Sequence, residues 1–125
     1  MTRLAIVGSR GFRNLELVRR FVRSLKPTTV VVSGGAVGVD SEAESAARQC
    51  GLKTEVFPAH WSKYGKSAGP IRNRQIVHAV EGLVAFWDSK SRGTAHVIQL
   101  ARRKGIWLRV FDEAGMEMKQ SFSQK

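Results

Sequence analysis

"TTVVVSGGAVGVDSEAESAARQCGLKTEVFP", residues 28–58, holds one complete repeat of a layered fold. Its opening, "TTVVVS" (28–33), is β-branched and apolar without alternation, the pattern of a strand covered on both faces. The loop "GGAVGVD" follows, and then Ala43, Ala46, Ala47 and Cys50 recur at helical spacing as a small-residue face that allows close packing. Ser41 and Glu44 have the spacing of a capping box, and Gly51 suits a left-handed cap at the helix end. "KTEVFP" (53–58) reads as the next strand. A strand, a helix and a strand in so short a space imply two parallel strands joined by a crossover.

The same unit recurs on both sides. "RLAIVG" (3–8) is a buried strand, and after "SRGF" Asn14 can cap a helix carrying Val18, Phe21, Val22 and Leu25, which Pro27 stops. Residues 59–69, "AHWSKYGKSAG", read as a long loop. A helix is predicted from Pro70 to about Glu81, with Ile76, Val77 and Val80 on its apolar side. "LVAFWD" (83–88) is a fourth strand, Thr94 is a candidate cap for a helix with Val97, Ile98 and Ala101 inward, and Gly105 closes it. "IWLRVF" (106–111) is a fifth strand. These elements predict an α/β, Rossmann-like doubly wound sandwich: a five-stranded parallel sheet in order 3-2-1-4-5 with helices on both faces. One domain over residues 1–112 and a polar tail over 113–125 are expected, its end "KQSFSQK" (119–125) frayed.

Composition narrows the partners. Of 125 residues, 21 are Lys or Arg and 10 are Asp or Glu, a net charge of +11 that attracts polyanions, nucleic acid first and acidic membrane surface second. Cys50 stands alone, so neither a disulfide framework nor a thiolate metal cluster is expected. No spanning segment or secretory leader is visible, and a reducing, cytoplasmic compartment without membrane association is the expectation. His60, His78 and His96 lack metal-ligand spacing.

In the predicted strand order, strands one and four part at the point where the winding reverses, so "GSRGF", "SGGAVGVD" and "DSKSRGT" crowd one crevice. "GKS" (65–67) lacks the preceding glycine of a P-loop, and "GSRGF" lacks the third glycine of a dinucleotide turn. What remains is a phosphate-shaped set. Gly34, Gly35 and Gly38 can bring backbone N–H groups to an anion at a helix N-terminus, and Gly93 with Thr94 can do the same. Arg10 and Arg92 hang from loops at that edge. Arg72 and Arg74 fall in the first turn of the helix expected from Pro70, where the dipole disfavours cations unless an anion is bound. Asp40 can cap the second helix, hold an arginine or bind a ribose hydroxyl. Trp61 and Tyr64 are candidates for base stacking or for packing over the sheet edge, and Trp87 is core with a chance of reaching a ligand.

Together "VGSRGF", "VVSGGAVGVDSEAESAA", "GPIRNRQIV" and "FWDSKSRGTAHVIQLARRKG" resemble, in order over residues 5–105, the SLOG superfamily in its compact cpYpsA-related, lonely-guy-like branch, and the Rossmann-like core of DNA-processing protein A. The latter resemblance implies a recombination mediator that binds single-stranded DNA through a basic pocket. Its signatures match Gly8-Ser9-Arg10, Ser33-Gly34 with Ala36, Gly38 and Asp40, and Arg72-Asn73-Arg74. The former implies a binder, sensor or sequestering protein for a nucleotide or nucleotide-derived small ligand, or a phosphoribohydrolase-like enzyme. Those hydrolases carry a glutamate three residues after a Gly-Thr pair, where this chain has Val97, so catalysis is not expected unless Glu42, Glu44 or Asp88 supplies the carboxylate. A domain that binds only a protein partner is the third reading. No cofactor is implied, and a homo-oligomer such as a dimer is left open.

Overall fold

The computed structural model describes residues 2–118, so the fraying expected of residues 119–125 lies outside the described residues. The chain runs β1 (Thr2–Gly8), α1 (Leu15–Arg23), β2 (Thr29–Ser33), α2 (Val39–Gln49), β3 (Lys53–Val56), α3 (Trp61–Tyr64), a 3₁₀ turn (Gly65–Ser67), α4 (Ala68–Ala79), β4 (Gly82–Phe86), α5 (Arg92–Lys104), β5 (Trp107–Phe111) and β6 (Glu117–Met118). The strands form one sheet in order β3-β2-β1-β4-β5-β6. β1 and β4 are central parallel neighbours, in register from Leu4 opposite Gly82 to Gly8 opposite Phe86.

The strand alternation divides the core. Leu4 and Ile6 of β1 face one layer with Val18 and Val22 of α1 and Ala43, Ala46 and Ala47 of α2. Ala5 and Val7 face the other, with Ile76 and Val77 of α4 and Val97, Ile98 and Ala101 of α5. Every residue of β2 and β4 is buried, which is why those stretches are apolar without a period.

Local details depart from the sequence reading in four places. The sheet has a sixth strand: β6 returns antiparallel to β5, pairing Val110 with Met118 and Phe111 with Glu117. Asp112 makes that return possible, since its Oδ1 accepts from the N–H groups of Ala114 (3.0 Å) and Met116 (2.9 Å). A two-residue strand carries no readable alternation.

Second, the capping box at Ser41 does not form. α2 begins at Val39 after Gly38, the Ser41 hydroxyl donates back to the Gly38 carbonyl at 3.1 Å, and Glu44 instead accepts from the Ser33 hydroxyl. Third, the cap of α5 is Ser91, whose Oγ accepts from the Thr94 N–H at 3.3 Å; Thr94 is the third helical residue. Fourth, the stretch read as a loop over 59–69 winds into α3 and the 3₁₀ turn, so α4 starts at Ala68. Arg72 and Arg74 therefore lie in its second turn, beyond the reach of the terminal dipole, and the clash expected of them largely disappears.

Candidate functional site

At the carboxyl ends of β1 and β4, a pocket of about 150 Å³ opens between the layers, its wall including Gly8, Arg10, Asp40, Arg72, Asn73, Ser91, Gly93, Thr94 and Val97. Four segments meet there because the two central strands diverge into helices on opposite faces.

The β2–α2 loop supplies one side. Gly38 has φ +94° and lies so close to Arg10 that a Cβ would stand 2.8 Å from the Arg10 carbonyl oxygen, so the loops after β1 and β2 pack backbone to backbone. Asp40, 4% exposed, accepts through Oδ2 from the Gly34 N–H (2.9 Å) and the Ala36 N–H (3.4 Å). It thus ties down the loop before its own helix rather than capping the helix end. Burial pushes its carboxyl up to about 6, against the pull of those two amides and of the Arg72 guanidinium.

Helix α4 supplies the opposite side. Arg72 donates from Nη1 to the Gly34 carbonyl at 2.7 Å and from Nε to Asn73 Oδ1 at 3.1 Å. Its Nη2 donates to none of the described residues. A Cβ on Gly34 would occupy the space of that guanidinium, which is the local demand for glycine there. Asn73 is buried, and its Nδ2 bonds the Gly93 carbonyl (3.2 Å) and His96 Nδ1 (3.1 Å). This assigns Nδ1 of His96 as an acceptor and its proton to Nε2. Burial, then Arg74 and Arg103, hold that imidazole below its ordinary value, in keeping with a neutral ring.

The third side is the N-terminal turn of α5, held by Asp88. The carboxylate accepts from the N–H groups of Lys90 and Ser91 (both 2.8 Å) and from the Ser9 hydroxyl (3.0 Å), while the Asp88 N–H donates back to Ser9 Oγ at 3.1 Å. Burial resists the charge on Asp88, yet these donors outweigh it and keep the carboxyl below its usual range. Ser9 and Asp88 therefore join the loops after β1 and β4 and aim the start of α5 at the pocket.

Of the residues singled out in the sequence, Gly8, Arg10, Asp40, Arg72, Asn73, Gly93 and Thr94 meet at the pocket, and Gly34 meets them through Arg72. Ser9, Ser33, Gly35 and Gly38 shape the loops behind it. Arg92 is exposed at the start of α5 and does not line the pocket. Arg74 faces away, into a groove between α4 and α5. Trp61 is 57% exposed, with its ring against Gly69; Tyr64 borders a separate hollow of about 220 Å³ that also touches Arg72. Trp87 packs against the core and donates to the Ser91 carbonyl at 3.1 Å, bracing the α5 turn from behind. Glu42, Glu44 and Asp88 are absent from the pocket wall, whereas Val97 lies on it. Ser91 and His96 were missed; Ser91 stands three residues before Thr94, the spacing of a cap to its bonded N–H.

Residues 2–64 match the model of the YspA, cpYpsA-related SLOG family, which is half of the chain. The chain belongs to that SLOG family. It is also 40% identical over 83 residues to the Gene 61 protein of Mycobacterium phage D29, an alignment that takes in 62% of this chain and 66% of the phage protein. The fold is similar to that of DNA processing protein A (DprA) from Streptococcus pneumoniae, solved by X-ray crystallography, with a TM-score of 0.75 and 24% identity over 90% of this chain. The SLOG chain spans only half of that DprA chain, and the likeness is one of fold. Among the described residues no helix is long and apolar enough to cross a membrane, and no three His, Cys, Asp or Glu side chains gather as a metal site.

Proposed function

We propose that this SLOG domain binds single-stranded nucleic acid in the cytoplasm, holding one phosphate in the pocket between the ends of β1 and β4. The observation that carries the reading is the arrangement around Arg72: a guanidinium anchored by two hydrogen bonds, with Nη2 unclaimed among the described residues, across the pocket from the N-terminal turn of α5. A fixed guanidinium and a helix N-terminus are complementary to a phosphate's oxygens and charge. Arg10 adds a second cation from the β1 side. About 150 Å³ is small beside the ~300–1,000 Å³ of pockets that enclose whole organic ligands, which supports capture of a phosphate group with the rest of the molecule outside. The +11 charge favours a partner with many phosphates.

A second reading, a nucleotide-derived small ligand, is supported by Asp40. Its carboxyl, pushed up to about 6 by burial, is the one acidic group among the described residues on the pocket wall. Val97, where hydrolases of the superfamily resemblance carry glutamate, weighs against cleavage, and release of free base from nucleoside monophosphates is not expected.

Titration of a short single-stranded DNA and a nucleoside monophosphate at two salt concentrations separates the readings. A polynucleotide partner predicts a log affinity that falls by ~0.7 per log salt for each phosphate engaged. Arg72→Gln should weaken binding by about 1.5–3 kcal/mol, the worth of a charge-assisted contact. Equal affinity for both ligands with a shallow salt slope would give the pocket to the small ligand. An unaffected R72Q variant would remove the pocket from the account altogether.

A further inference from the structure

The outer groove between α4 and α5, about 320 Å³, is lined by Arg74, Val77 and His78 on one side and Leu100, Arg103 and Lys104 on the other. Packing explains part of it. Val77 belongs to the core, with Leu100 laid against it. Lys104 closes the end of α4, donating from Nζ to the carbonyls of Val77 and His78, both at 3.1 Å. Arg74 and Arg103 are different. Both are exposed, and among the described residues neither has a hydrogen-bond or ion-pair partner. Arg103 sits in the last turn of α5, where the dipole favours it, but the second turn of α4 offers Arg74 nothing comparable.

The groove and the pocket are both bounded by α4 and α5. Asn73 reaches Gly93 at the pocket and, through the same amide nitrogen, His96 one turn further along α5. Arg74 and Arg103 both act electrostatically on that imidazole. Along α5, Arg92, His96, Gln99 and Arg103 recur at intervals of four, three and four and share one face. From Arg92, beside the pocket, to Arg103 the face extends about 16 Å at the rise of an α-helix.

We propose that the α4–α5 groove carries the sugar–phosphate backbone of a single-stranded nucleic acid leaving the pocket, with Arg74 and Arg103 each engaging a phosphate. This rests on the pocket reading above. Charge decides the occupant: a second copy docked face to face would bring the same unpaired cations together in a chain already at +11, whereas a polyanion neutralises them. Leu100 gives the groove an apolar floor on which a sugar or base can rest.

The test compares wild type, R74Q/R103Q and R72Q, binding an oligothymidylate of about ten nucleotides and thymidine monophosphate across a salt series. In R74Q/R103Q the oligonucleotide's salt slope should become shallower by about 1.4, at ~0.7 for each of the two phosphates left without its arginine, while monophosphate affinity is unchanged. By NMR, His96 should titrate higher in free R74Q/R103Q than in wild type, and should rise in wild type on adding the oligonucleotide. An unchanged oligonucleotide slope in R74Q/R103Q, with R72Q still weakened, overturns the groove and leaves the pocket standing. If wild type binds no oligonucleotide, or R72Q binds it normally, both fall. Equal weakening for both ligands would mean that the two arginines act on the pocket, and a dimer that dissociates in R74Q/R103Q with binding intact would assign the groove to a second copy; either result overturns the proposal.

Discussion

Arg72 and Arg74 show how much a single position on a helix decides. Two residues apart, they stand on nearly opposite sides of α4, one anchored at the pocket and the other out in the groove. Asp40 is the other residue on which the site turns. Its carboxyl holds a proton to about 6 in the folded chain against an ordinary 3.8, so between those values the folded state binds the extra proton and stability falls as pH rises. Above about 6 the charge is buried in full, at a cost of about 3 kcal/mol. Asp40→Asn should remove this fall, so that its urea midpoint, measured from about pH 4 to 7, is flatter than that of wild type. Binding should move the same way: a phosphodiester, whose own charge is constant in this range, should bind wild type more weakly as pH rises through 6, and D40N should lose that step. A wild-type profile as flat as that of D40N would show that Asp40 does not titrate there. Gly34→Ala makes a separate demand. The added methyl group needs the place of the Arg72 guanidinium and would stand 2.9 Å from the buried Asp40 Oδ2, so ligand affinity and thermal stability should both drop.

At the scale of elements, the start of α5 is the joint between fold and site. Ser91 caps it, Asp88 bonds the N–H groups of Lys90 and Ser91, and Trp87 braces the Ser91 carbonyl. Removing the cap in Ser91→Ala should cost about 1 kcal/mol, within the usual ~0.5–2, seen as a lower urea midpoint at unchanged m-value. A midpoint that does not move would show that Asp88 alone holds the turn. Helix α4 carries a related lesson. Its first turn is Ala68 to Ile71, fed directly from a 3₁₀ turn, and Pro70 sits third, where its missing N–H still has no intrahelical partner to lose. Proline thus marks the first turn without marking the first residue, and an offset of two residues moved Arg72 and Arg74 out of the dipole's range.

Across the whole molecule, the segment after β5 is stitched back onto the opposite end of the chain. The Glu113 carboxylate accepts from the Arg13 N–H at 2.6 Å, Asn14 Nδ2 donates to the Glu113 carbonyl at 3.0 Å, and Arg109 pairs with Glu117 at 2.7 Å. The first two of these hold the entry to α1, whose cap is Asn14. A chain ending at residue 112 keeps the buried residues of both core layers, losing Met118 from the margin of one, and should fold, but should lose about 2 kcal/mol from the two hydrogen bonds. The exposed Arg109–Glu117 pair adds little. Circular dichroism should therefore show the same helical signal and a melting temperature lower by roughly 5–10 °C. An unfolded truncation would mean that β6 is integral to the sheet.

What this sequence determines by itself is the layered order of strands and helices, because burial on two faces and helical spacing leave direct marks on neighbouring residues. It also marks the crevice: glycines gather where strands end and helices begin, and once the strand order is known those loops must converge. Tertiary structure alone settled which of two nearby Ser or Thr residues caps a helix, because several satisfy the local rule and the choice depends on where the sheet delivers the chain. Ser9 on one loop and Asp88 on another make that choice for α5. The opposite facing of Arg72 and Arg74 was legible in their two-residue separation. Which of them faces the pocket was not, because that follows from the rotation at which Ile76 and Val77 lock α4 onto the sheet. The raised carboxyl of Asp40 has no local signature either, since it arises from desolvation by segments distant in the chain.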